Sequence, residues 1–144
     1  MRTLLFNALK AAILATGDIC HVALWNQQVA FIEEEEPFDL PAVFIEFAPI
    51  EWRVFDKSRK NGRQIMTSDA HLTFHLLTPS TWGDAETLTF ADAFADRFAG
   101  MQVRDGEDEL HACNFMPAAS TTNHDHGELV ESLETFAFRA YKFY

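Results

Sequence analysis

The sequence predicts an α+β fold: a mostly antiparallel sheet packed by an N-terminal helix and a second, later helix. Three observations carry this. Apolar residues recur at helical spacing in two stretches only. Between and after those stretches they alternate or run together, as strands require. The strands also follow one another without the regular helix–strand alternation that a parallel sheet needs.

The first helix is expected over residues 2–16, where Leu5, Leu9, Ala12 and Ile13 fall on one face and Gly17 stands at the stop. Asn7 and Lys10 interrupt its apolar run, which argues for an amphipathic helix rather than a secretory signal. "ICHVALWN" reads as a strand with Val22 and Leu24 on one face. A polar turn at Asn26–Gln28 then leads into "VAFI", which predicts a hairpin. "AVFIEF" is nearly all apolar and so reads as a central strand covered on both faces, ended by Pro49. "IEWRVF" alternates, with Ile50, Trp52 and Val54 on one face and Glu51 and Arg53 on the other. Asn61-Gly62 favours positive φ, so residues 56–63 read as a long hairpin tip. The returning strand puts Leu72, Phe74 and Leu76 on one face and His71, Thr73 and His75 on the other.

In the second helix, Asp84 is the expected N-cap, because its carboxylate accepts from free backbone N–H groups. The expected buried stripe is Leu88, Ala91, Ala95 and Phe98, with Phe94 alongside and Gly100 at the stop. Two more strands are expected, at about 102–116 with a turn near Gly106, and at about 128–143.

The length of 144 residues implies one domain, residues 1–144. A hydrophobic fraction of 48% with 14 Phe is a globular composition, not a disordered one. The net charge of −11 is poorly suited to specific nucleic-acid binding, which needs clustered cations. No stretch approaches 18 apolar residues, so no membrane span is expected. The charge is unevenly distributed. Arg53, Lys57, Arg59, Lys60 and Arg63 form a basic cluster, and Glu33, Glu34, Glu35 and Glu36 form an unbroken acidic run. Together they define a candidate interaction surface with opposite poles.

Candidate chemistry is sparse. The chain has no GxSxG elbow, no GxGxxG and no GxxxxGK[ST]. Cys20 and Cys113 are far apart and are expected to be buried free thiols. The acidic "DGEDEL" just before Cys113 is expected to raise that thiol's pKa, which disfavours a thiolate nucleophile. His71 and His75 have metal-ligand spacing for a helix, but four strand residues separate them by about 13 Å, too far for one ion. They are expected to face solvent or an interface. His124 and His126 project to one side of an extended segment and are the best metal candidates. Asp69, His111 or Glu128 would have to supply a third ligand. The competing reading of His124-Asp125-His126 is a polar turn that launches the last strand. The terminal aromatics Phe136, Phe138, Tyr141, Phe143 and Tyr144 lack the basic groove of a nucleic-acid platform and read as core or interface.

The helix "LLFNALKAAI", the stretch "LWNQQVAFIEEEEPFDLPAVFIEF", the strand "AHLTFHLLT" before "TLTFADAFADRFAG", and the closing "NHDHGELVESLETFAFRAY" resemble tail-terminator proteins of long-tailed bacteriophages and prophages. The resemblance covers nearly the whole chain and rests on order and texture rather than on an invariant motif. It implies a tail-terminator-like α+β domain with a sheet covered by helices. It further implies a homo-oligomer, commonly a six-membered ring, that caps the tail tube and joins it to the head. The implied partners are tail-tube and head-connector proteins. The implied location is the bacterial host cytoplasm during assembly, then the tail or neck of the virion. No enzyme activity, catalytic residue, metal or cofactor is implied. The alternatives are a metal-dependent enzyme built on His124 and His126, and a monomeric binding module.

Overall fold

A computed structural model of the chain describes residues 1–25, 38–60, 63–106 and 109–144; for residues 56–60 and 122–126 it describes the backbone alone. The elements are helix α1 (Arg2–Leu14), strands β1 (His21–Leu24), β2 (Ala42–Phe47), β3 (Arg53–Lys60) and β4 (Arg63–Pro79), helix α2 (Asp84–Phe98), and strands β5 (Val103–Asp105), β6 (Glu109–His126) and β7 (Leu129–Phe143). They make a mixed α+β fold built on one seven-stranded sheet of order β1-β2-β4-β7-β6-β5, with β3 also beside β4. Every pairing is antiparallel except β1 with β2. The predicted partner of β1, "VAFI", lies outside the described residues.

Strand β4 organises the sheet. Its far half pairs with β2, from Phe47 opposite Leu72 to Ala42 opposite Leu77. Its near half pairs with β3, from Arg53 opposite Thr67 to Lys60 opposite Arg63. β2 and β3 therefore occupy the same side of β4, separated by the segment around Pro49. Proline lacks the N–H that a ladder position needs, which accounts for the break. Along its other side β4 pairs with β7 over the full length of β7, from Ile65 opposite Phe143 to Pro79 opposite Leu129.

Period-2 alternation sends Leu72, Phe74 and Leu76 to one face, where both helices pack. Leu5, Leu9 and Ile13 of α1 and Ala91, Phe94, Ala95 and Phe98 of α2 join them in one core with Phe115, Phe136 and Phe138. Phe74 is at its centre, with ring centroids 5.0 Å from Phe94, 5.3 Å from Phe98 and 5.6 Å from Phe136. The stripe of α2 is rotated from expectation: Thr87 is buried and Leu88 is exposed. The buried set 87, 91, 94, 95 and 98 has regular helical spacing, and Leu88 falls one step off it. Asp84 lies in the first helical turn rather than at the cap, which Gly83 occupies in extended backbone. An acidic side chain there still favours the positive end of the helix.

β6 runs to His126, so residues 121–126 are strand where a polar turn is the competing expectation. His124 pairs with Glu131 and His126 with Leu129. The reversal is confined to Gly127 and Glu128, and Gly127 takes φ +77°, a conformation open to glycine at little cost. No described helix is long and apolar enough to cross a membrane.

Candidate functional site

The basic cluster lies on paired strands. β3 continues to Lys60 and β4 begins at Arg63, so the expected hairpin forms, but residues 56–60 belong to its ladder strand rather than to a long tip. Asn61 and Gly62, the expected turn, lie outside the described residues. The hairpin is braced from behind: Gln64 and Tyr144 exchange both backbone hydrogen bonds, at 2.8 and 2.9 Å. Of the five basic side chains, Arg53 and Arg63 are described, and both have carboxylate partners. Arg53 meets Asp69 at 3.2 Å, and Asp69 also accepts from Arg139 at 2.8 Å. Arg63 is paired with Glu109. The side chains of Lys57, Arg59 and Lys60 lie outside the described set, as do Glu33, Glu34, Glu35 and Glu36.

Apolar groups flank these cations. Val54 and Phe55 are 54% and 52% exposed, and Tyr144 is 61% exposed. Phe55 meets the Tyr141 ring edge-on at 5.5 Å. The Lys142 ammonium stands 4.8 Å from the Tyr144 ring and 5.9 Å from Trp52. Cations held over aromatic faces beside β3 form a surface suited to acidic or aromatic partners.

The predicted histidines separate. His71 is exposed, as expected, but His75 is buried. Both belong to the sheet face opposite the helices. At the β1–β2 end that face is covered by a second small core of Ala42, Phe44 and Leu77, with Trp25, Phe38 and Leu40 packed on it. The Trp25 indole lies parallel to the His75 ring at 3.8 Å. Nδ1 of His75 is 3.0 Å from Glu131 Oε2, and Nε2 is 3.4 Å from Glu46 Oε1. Three strands thus bring an imidazole and two carboxylates together in a largely buried setting. Sequence reasoning missed this, because only the register of β2, β4 and β7 aligns the three residues.

His124 and His126 fall in the backbone-only stretch of β6. The register does exclude two of their proposed third ligands. His111 is thirteen residues from His124 on the same strand, about 43 Å at strand rise. Asp69 pairs with Arg139, eight residues along β7 from the partner of His124, or about 26 Å away. Among the described residues, the one set of three potential ligands whose ligand atoms lie within 4.8 Å of one another is Asp105, Glu109 and His111, at the β5–β6 hairpin. The guanidinium of Arg63 on Glu109 works against a cation there. The sequence signal for this set is "DGEDELH", which joins the acidic approach to Cys113 with His111, a residue expected to act only beside His124 and His126.

Burial is the main cause that pushes the Cys113 thiol upward, with Arg139 and Arg104 opposing it. The expected direction holds, but the cause is desolvation rather than acidic neighbours. Cys20 is exposed, contrary to expectation. Glu134 is buried on the helix-covered face opposite Phe74. One of its oxygens accepts from Ser120 and the other has no hydrogen-bond partner. Burial, with Asp92 nearby, holds its carboxyl above the ordinary range.

Comparison of the chain with protein-family models and with curated proteins found no match.

Proposed function

We propose that the chain is a structural subunit of virion assembly in a bacteriophage or prophage. In this reading copies form a ring that caps the tail tube and joins it to the head, in the host cytoplasm and then in the neck of the virion. The observation that carries it is the β3–β4 edge. It is a braced, strand-built surface with half-exposed Val54 and Phe55 and a basic cluster, in a chain of net charge −11. Such a surface serves docking between proteins rather than chemistry. The mixed fold, with both helices on one face of a single sheet, agrees with the sheet-and-helix architecture that the resemblance implies. The reading assigns no catalytic residue, metal or cofactor.

The experiment is assembly with purified tail tubes, followed by electron microscopy and by light scattering of the free chain. The expected result is a closed ring at one end of each tube and tubes of uniform length. A chain that stays monomeric at every concentration and leaves tubes unchanged would refute the proposal.

A further inference from the structure

A cavity of about 430 Å³ opens beside the start of α1. The described residues that line it are Met1, Arg2, Thr3, Ile50, Trp52 and Lys142. Three parts of the chain meet there. The first turn of α1 brings Arg2 and Thr3. β2 ends at Phe47 and β3 begins at Arg53, so Ile50 and Trp52 lie in the break around Pro49, where they pack against the core as partly buried apolar groups. Lys142 lies near the end of β7, opposite Met66. Side chains alternate along a strand, so Lys142 follows Phe136, Phe138 and Ala140 on the helix-covered face, one step beyond the packed core.

This cavity is opposite in charge to the chain. The chain has 22 acidic residues against 11 basic ones. Two of the basic ones line the cavity, and among the described residues no acidic one does. The first turn of α1 carries no acidic side chain. Glu51 falls between Ile50 and Trp52 in sequence, but it is exposed and is not part of the lining. Arg53, Arg63, Arg97 and Arg139 each meet a carboxylate within the chain, whereas among the described residues Arg2 and Lys142 meet none. The Lys142 ammonium is instead held beside two rings, 4.8 Å from Tyr144 and 5.9 Å from Trp52. Two like charges on one cavity repel, and a bound anion removes that repulsion.

We infer that this cavity binds a small phosphate monoester with a planar organic group, a ligand of the nucleotide class. Each feature selects part of that chemistry. A phosphate monoester carries a charge of about −1.5 to −2 near pH 7, which matches two cations. Arginine offers phosphate oxygens a planar fork of donors, lysine offers a point charge, and the Thr3 hydroxyl adds a further donor. Ile50 and Trp52 give an apolar, aromatic wall for the planar group. The volume falls within the range of roughly 300–1,000 Å³ usual for small-molecule sites. The inference goes beyond the ring reading and does not depend on it, so its test is unaffected by whether rings form.

The probe is adenosine monophosphate, titrated by calorimetry into the full, untagged chain at low salt. Saturable binding tighter than about 1 mM is expected. Adenosine, which lacks the phosphate, and inorganic phosphate, which lacks the ring, are each expected to bind about tenfold more weakly or worse. The double variant Arg2→Gln with Lys142→Gln should lose about tenfold in affinity or more, and Lys142→Arg should stay within about threefold of the unmodified chain. Nitrogen-15 NMR places the ligand: the indole N–H of Trp52 and the amide of Thr3 should shift, and the indole N–H of Trp82 should not. If the double variant does not fold by circular dichroism, each single Gln variant replaces it, with a loss of about threefold or more expected.

No saturable binding, equal binding of adenosine, or unchanged affinity in the Gln variants overturns the inference. Shifts that spare Trp52 and Thr3 overturn the site. Inorganic phosphate that binds as tightly as the nucleotide overturns the assigned ligand class.

Discussion

Glu134→Gln should stabilise the protein above neutral pH. Glu134 is 1% exposed and sits among the aromatic residues under the helices. Ser120 donates to one oxygen, and the other has no partner. Leaving a buried polar group unsatisfied costs about 1–3 kcal/mol, and more when the group is charged. The amide keeps an acceptor for Ser120 and removes the charge, so a net gain of about 1–2 kcal/mol is expected above neutral pH. For a chain of this length that corresponds to roughly 3–7 °C in Tm.

The pH dependence fixes the cause. The folded carboxyl is raised above its ordinary value of 4.5. The folded state therefore binds the proton more tightly than the unfolded state, and the stability of the unmodified chain falls as pH rises from 4.5 through the raised value. The advantage of the Gln variant should vanish as pH drops below 4.5 and should grow as pH rises through the raised value. Thermal melts of both proteins at several pH values measure this. Equal Tm at every pH, or a gap that widens on acidification, would refute the reasoning.

Phe74→Ala removes the ring at the centre of the aromatic core and should cost about 3–5 kcal/mol in urea unfolding with an unchanged slope. Asp18→Asn removes a pair with Arg97 at 2.8 Å that, with Thr16, lowers the Asp18 pKa to about 2. The pair is more than a third exposed, so the loss at pH 7 should be under about 1 kcal/mol. Because the folded pKa is depressed, that contribution is present above pH 3.8 and disappears as pH falls through about 2, where the two proteins should melt together. Metal analysis of the untagged chain should give well under one equivalent of zinc or manganese, unchanged by His124→Ala with His126→Ala; a stoichiometric ion lost in that variant would favour the metal-enzyme alternative.

Much of the local structure is legible in the sequence, because the periods of helix and strand are properties of neighbouring residues. Leu5, Leu9 and Ile13 mark α1, Phe94 and Phe98 mark the buried side of α2, and Leu72, Phe74 and Leu76 mark the core face of β4. "AVFIEF" announces a strand covered on both faces, and β2 lies between β1 and β4. The basic cluster is equally visible as composition. What it was built on was not, since a polar, glycine-containing stretch reads as loop unless its partner strand is known. The one-step rotation that exposes Leu88 in α2 depends on how the helix meets the sheet.

The sequence alone determined the kind of fold, the periodic core positions and the two charge extremes, because each follows from side-chain type and local spacing. Tertiary structure decided which distant residues meet. The pairing of β4 with β2 and β7 brings Glu46 and Glu131 to His75 and buries a histidine whose local pattern points to solvent. The same register separates His111 and Asp69 from His124. Register depends on contacts dozens of residues apart, and local periodicity carries no information about them.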